Sequence, residues 1–183
     1  MRLSPAQIAT IEFQNDGVID SLTATHAPAH FFQLLERESS IAERSGSALL
    51  LLSIRLDLEK YFEEVSKESE TNRATNGGSK EDERFSPVEA VAKIERHIIA
   101  MAEALKSHLR AGDFFTRYSD TGYLVLIRGS QIEFHLVEKR MQEVIATVEL
   151  LLDKKGVWKL ASLIREKGEE RLHLVERIDR IHF

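Results

Sequence analysis

Phe114-Phe115-Thr116-Arg117-Tyr118-Ser119-Asp120-Thr121-Gly122-Tyr123-Leu124-Val125-Leu126-Ile127-Arg128 is the stretch on which the fold turns. Two runs containing aromatic and β-branched residues, 114–118 and 123–128, flank Ser-Asp-Thr-Gly, a block of turn chemistry. That arrangement predicts a β-hairpin. Upstream, Val91, Ile94, Ile98, Met101, Leu105 and Leu109 recur at helical spacing. Ser86, Pro87 and Glu89 open that helix as N-cap, first helical residue and partner in a capping box. Gly112 is placed to end it in the left-handed conformation. Downstream, Phe134, Val137, Met141, Val144 and Ile145 mark a second amphipathic helix over 131–148.

Further out, Ala48 to Ile54 is a short apolar run after a Ser-Gly-Ser turn, which suits a central strand covered on both sides. Val157 to Ile164 reads as another strand, with Trp158 in the core. Pro28 opens a helix through Phe31, Leu34, Leu35, Glu38 and Ile41, and Gly46 stops it. Helices are also expected over 5–13, with Ser4 as N-cap, and over 169–181. Strands separated by helices, plus one hairpin, predict an α+β domain of ferredoxin-like type, a mixed sheet with helices packed on it. Ser66 to Glu83 is polar, with Gly77-Gly78 at its middle and no large apolar residue. It is expected to be a flexible insertion at about 66–84, within a domain spanning 18–183 that follows a helical lead-in, 1–17.

The 183 residues are 43% hydrophobic and 30% charged, a globular balance. There is no cysteine, which fits a reducing compartment. No apolar run reaches the length of a signal peptide or a membrane span, so a cytoplasmic protein without membrane contact is expected. Net charge is −5, with Lys and Arg scattered among Asp and Glu, which argues against nonspecific nucleic-acid binding.

Three ordered stretches resemble the GGDEF (diguanylate cyclase) family. Asp20-Ser21-Leu22-Thr23 with Phe31 downstream is similar to its opening D-x-L-T-G-L-x-N-R-x-x-F. The strand from Leu49 to Arg55 is similar to the one ending in D-I-D or D-L-D. Leu109-Arg110-Ala111-Gly112-Asp113, followed by the hairpin, resembles L-R-x-x-D, five residues, then G-G-D-E-F. The resemblance covers about residues 18 to 165 and implies a nucleotidyl-cyclase-type sheet. Family members join two GTP molecules into cyclic di-GMP, with acidic side chains holding divalent metal against the triphosphate.

By this resemblance the active-site positions are degenerate. Ser53 and Arg55 stand at the two acids of the strand motif. Ser119 and Asp120 stand at the two glycines, Thr121 and Gly122 at the Asp and Glu, and Tyr123 at the Phe. The Asn and Arg of the opening motif fall at Ala27 and Pro28. No catalytic residue, metal site or cofactor is therefore expected, and no cyclase activity. One ligand motif survives. Arg110 and Asp113 match the R-x-x-D with which many family members grip cyclic di-GMP away from catalysis. Arg offers a planar fork to phosphate or guanine, and Asp accepts from guanine N–H groups. The local alternative is that Arg110 serves the negative end of its helix and Asp113 bonds the turn. Two readings follow: a protein-interaction module with a partner or a homodimer, and a cyclic di-GMP receptor. His26 and His30 have an i, i+4 spacing that can share a metal, but Pro28 between them opposes a regular helix there.

Overall fold

The computed structural model describes residues 14–76 and 87–182. In chain order the elements are α1 (Pro28–Ser45), β1 (Ala48–Leu56), α2 (Leu58–Asn76), α3 (Pro87–His108), β2 (Phe114–Ser119), β3 (Gly122–Gly129), α4 (Gln131–Leu151), β4 (Trp158–Ile164) and α5 (Arg171–His182). The expected helix over 5–13 and the N-cap at Ser86 lie outside the described residues.

The strands form one sheet in the order β2-β3-β1-β4. β1 pairs antiparallel with both β3 and β4, and β2 with β3. The sheet is thus ferredoxin-like but antiparallel throughout its named strands, where a mixed one was expected. β1 and β2 run in the same sense, yet β3 lies between them; β1 in turn separates β3 from β4. Each helical crossover skips one position, so parallel strands never become neighbours.

β1 is buried along almost its whole length because the sheet is covered twice. Leu50, Leu52 and Ile54 pack with Ile94, Ile98, Met101, Leu105, Met141 and Val144 of α3 and α4. Leu49 and Leu51 pack on the opposite face with Phe31 and Leu35 of α1 and Leu174 and Ile178 of α5. The alternation of strand side chains turns one apolar run into two cores.

Two expectations fail locally. The segment read as a loop from residue 66 is helical as far as Asn76, and residues 77–86 lie outside the described part. Asp57 starts α2, accepting from Lys60 N–H at 3.1 Å. Leu58, Tyr61, Phe62 and Val65 then anchor the first turns on the core. Once nucleated, a helix gains one hydrogen bond per added residue, and Glu, Lys, Arg and Ala favour it. Low apolar content argues against burial, not against helix. Secondly, α3 ends at His108, so Arg110 lies beyond its last turn, and Gly112 is not among the positive-φ glycines. The chain leaves α3 through a turn closed by Asp113, which makes a left-handed glycine unnecessary.

Candidate functional site

β1 and the β2–β3 hairpin bring the expected site positions together. Arg55 pairs across the sheet with Gly122 on one side and Lys159 on the other. Ser119 pairs with Gly122, leaving Asp120 and Thr121 as a two-residue loop. Thr121 C=O accepts from Leu56 N–H at 2.9 Å, which seats the loop against the end of β1. Ser53 is 2% exposed and sits two pairs deeper, opposite Leu124.

The space at Gly122 is already filled. A Cβ there would lie 2.9 Å from Ser119 Oγ and 3.0 Å from Arg55 Cγ. Arg55 extends past this glycine toward α5, with Nη1 4.0 Å from Asp179 Oδ1. Tyr118 OH donates to the other oxygen of Asp179 at 3.2 Å. Burial, and then the Asp179 charge, hold the Tyr118 phenol above its ordinary pKa. α5 is thereby tied across this end of the sheet. Tyr123 belongs to the opposite face, where its buried OH donates to Ile98 C=O at 2.7 Å. Desolvation raises its pKa, so it stays a neutral donor.

Sequence reasoning missed the pair that fixes the segment before α1. Asp20 and Arg117 are both sealed from solvent, with Arg117 Nη1 3.4 Å from Asp20 Oδ1. Asp20 Oδ2 also accepts from Thr23 N–H at 2.9 Å and from the Thr23 hydroxyl at 2.5 Å. Arg117 Nη2 reaches Asp120 C=O at 3.4 Å, linking this pair to the hairpin loop. The available signal was an arginine inside an otherwise strand-like run, which needs a counter-charge if buried.

Arg110 and Asp113 stand apart. Arg110 N–H donates to Asp113 Oδ2 and Asp113 N–H donates to Arg110 C=O, both at 2.9 Å. One carboxylate oxygen is thus committed to the turn, while Arg110 is exposed. The six residues of β2 separate Asp113 from Asp120, about 20 Å of extended chain. His26 and His30 do approach, with ring centroids 4.9 Å apart. Burial first, and then the neighbouring His30, lower the His26 pKa.

A cleft of about 560 Å³ opens between α1 and the start of α5, lined in part by Glu36, Ser39, Glu43, Arg165 and Arg171. None of the expected site residues lines it. Its opposite charges are paired, Glu36 with Arg171 at 2.8 Å and Glu43 with Arg165 at 3.0 Å. Among the described residues no helix is long and apolar enough to cross a membrane.

This antiparallel sheet with helices on both faces is the α+β architecture of nucleotidyl-cyclase-type domains. No family model matches the chain, and no curated protein does. Solved structures do. A microbial GGDEF domain with bis-(3′,5′)-cyclic di-GMP superposes with a TM-score of 0.61 at 17% identity, covering 90% of this chain and 86% of that one. The GGDEF domain of DgcB from Caulobacter crescentus, in complex with c-di-GMP, gives 0.60 at 17% identity, with 92% and 89% coverage. The diguanylate cyclase SiaD from Pseudomonas aeruginosa, in complex with its activator SiaC, gives 0.56 at 19% identity, with 88% and 55% coverage. The chain has the GGDEF-domain fold.

Proposed function

We propose that this chain is a catalytically inactive GGDEF-type domain that works inside the cell as a regulatory protein-interaction module. The observation that carries this reading is the contact between Arg55 and Gly122. Where the resemblance expects a carboxylate, the chain has a glycine, and the stem of an arginine occupies the space beside it. Ser53 and Thr121 add no charge. Hard divalent cations take oxygen ligands, usually with carboxylates among them. The residues present do not fit a metal–triphosphate site, and no transfer step is assigned to them. Asp120 would add a negative charge near the phosphates; two unit charges ~4 Å apart repel by roughly 4 kcal/mol at an effective dielectric of 20. The complex of SiaD with SiaC supports the idea that a domain of this fold can answer to a protein partner. The test is incubation of the purified chain with GTP and Mg²⁺ or Mn²⁺. No cyclic di-GMP should form, and its formation would overturn the reading.

A second reading is a cyclic di-GMP receptor acting through Arg110 and Asp113. It is favoured by the exposed Arg110 beside a carboxylate with one oxygen left over from the turn. Structures of the same fold in complex with c-di-GMP support it. Calorimetry decides: saturable heat that Arg110→Ala abolishes supports it, and the absence of saturation at high ligand removes it.

A further inference from the structure

The two edges of the sheet differ. The β2 edge is covered: Thr116 forms a bridge with His26, its hydroxyl donates to His26 C=O at 2.6 Å, and a bulge interrupts the strand between Arg117 and Ser119. The β4 edge has a continuous seven-residue register against β1 and no proline. Asp57 N–H donates to Val157 C=O, and Arg165 N–H donates to Leu49 C=O. Odd-numbered residues therefore face β1, and the backbone groups of Trp158, Leu160, Ser162 and Ile164 point outward. Glu149 accepts from Trp158 N–H at 3.0 Å. Among the described residues nothing pairs with the backbone of the other three.

We propose that this edge is a dimer interface, at which β4 pairs antiparallel with β4 of a second copy about a two-fold axis at Ser162. The commitment to a second copy rests on self-complementarity. Leu160, Ser162 and Ile164 are symmetric about Ser162, so the axis matches Leu160 with the other copy's Ile164, and Ser162 with its own counterpart. Every outward N–H and C=O of the three residues then gains a partner, and Trp158 keeps Glu149. The side chains agree with this register. Leu160 and Ile164, both half-buried, meet as an apolar cross-strand pair. On the other face Ala161 meets Leu163, a small residue against a large one. Lys159 would oppose Arg165, but each is held by a carboxylate of its own copy, Asp57 at 2.8 Å and Glu43 at 3.0 Å. A lysine on an edge strand ordinarily discourages pairing; here its charge is matched. The opposing feature is Glu138, which bonds the Ser162 hydroxyl and so approaches its counterpart near the axis.

This inference deepens the interaction reading by naming a surface and a partner. The test is sedimentation of the full chain over a roughly hundredfold concentration range, with amide hydrogen exchange followed in parallel. The mass should rise from monomer to dimer, and the amides of Leu160, Ser162 and Ile164 should become protected with it. Ser162→Pro removes an N–H that points away from β1, which an edge strand tolerates. That variant should remain folded by circular dichroism and stay monomeric. Glu138→Gln should dimerise more tightly. A chain that stays monomeric, or a dimer in which those three amides exchange at a concentration-independent rate, overturns the proposal. Either result leaves a different protein partner to the interaction reading, which only cyclic di-GMP synthesis by the chain would overturn.

Discussion

Arg117 and Asp20 face each other across 3.4 Å with 0% and 1% of their side chains exposed, although 97 positions separate them in the chain. The pair pins the segment before α1 to the middle of β2. A buried ion pair has little net worth against an apolar replacement, but removal of one partner strands the other charge.

Asp20→Ala should therefore destabilise the fold by about 3–5 kcal/mol, read from the urea midpoint at constant slope. Converting both residues to apolar ones of similar size should recover most of that loss. A single substitution that costs less than about 1 kcal/mol would show that water reaches the guanidinium.

Gly122→Glu gives the hairpin the residue type that the GGDEF resemblance expects at this position. Its Cβ would meet Ser119 Oγ and Arg55 Cγ at about 3 Å. Overpacking of this kind typically costs about 1–3 kcal/mol, so the melting temperature should fall. Adding Arg55→Ala should relieve part of the cost, and neither variant should make cyclic di-GMP, as measured by product chromatography.

His97 gives a pH dependence with a definite sign. It is buried beside the ring of Tyr61, 5.0 Å away. Desolvation first, and then the Lys154 charge, lower its pKa to about 4. The unfolded chain binds a proton near pH 6.5 and the folded chain only near 4. Its contribution to stability is thus full above pH 6.5 and is lost as pH falls toward 4, by roughly 3 kcal/mol at most. Urea titrations at several pH values should show this slope, and His97→Phe should flatten it over that window.

Tyr118→Phe removes the hydroxyl that donates to Asp179. The expected loss is about 0.5–1.5 kcal/mol. Because the bond ties α5 to β2, amide exchange in the last turns of α5 should quicken more than in α3. Uniform acceleration in both helices would show that the hydroxyl does not hold α5 specifically.

The architecture was largely legible in the residues. The hairpin at 114–128, the apolar run of β1 and the stripe of α3 each announce themselves over a few turns or pairs, because periodicity and turn chemistry act locally. That Ser, Thr and Gly stand at positions 53, 121 and 122 is likewise a matter of residue identity alone. The first half of the polar segment was misread because composition reports burial and not helix, and α2 runs on to Asn76.

What only the tertiary structure decided are relations between residues far apart in the chain. That Asp20 neutralises Arg117, that the Arg55 stem fills the space beside Gly122, and that Asp179 receives Tyr118 all depend on the path of the backbone. So does the place of β4 at an edge of the sheet, since strand order follows from how the crossovers close and not from any strand's own sequence. Local preferences fix which elements form; burial of both faces of β1 at once fixes how they are arranged, and that is a property of the whole chain.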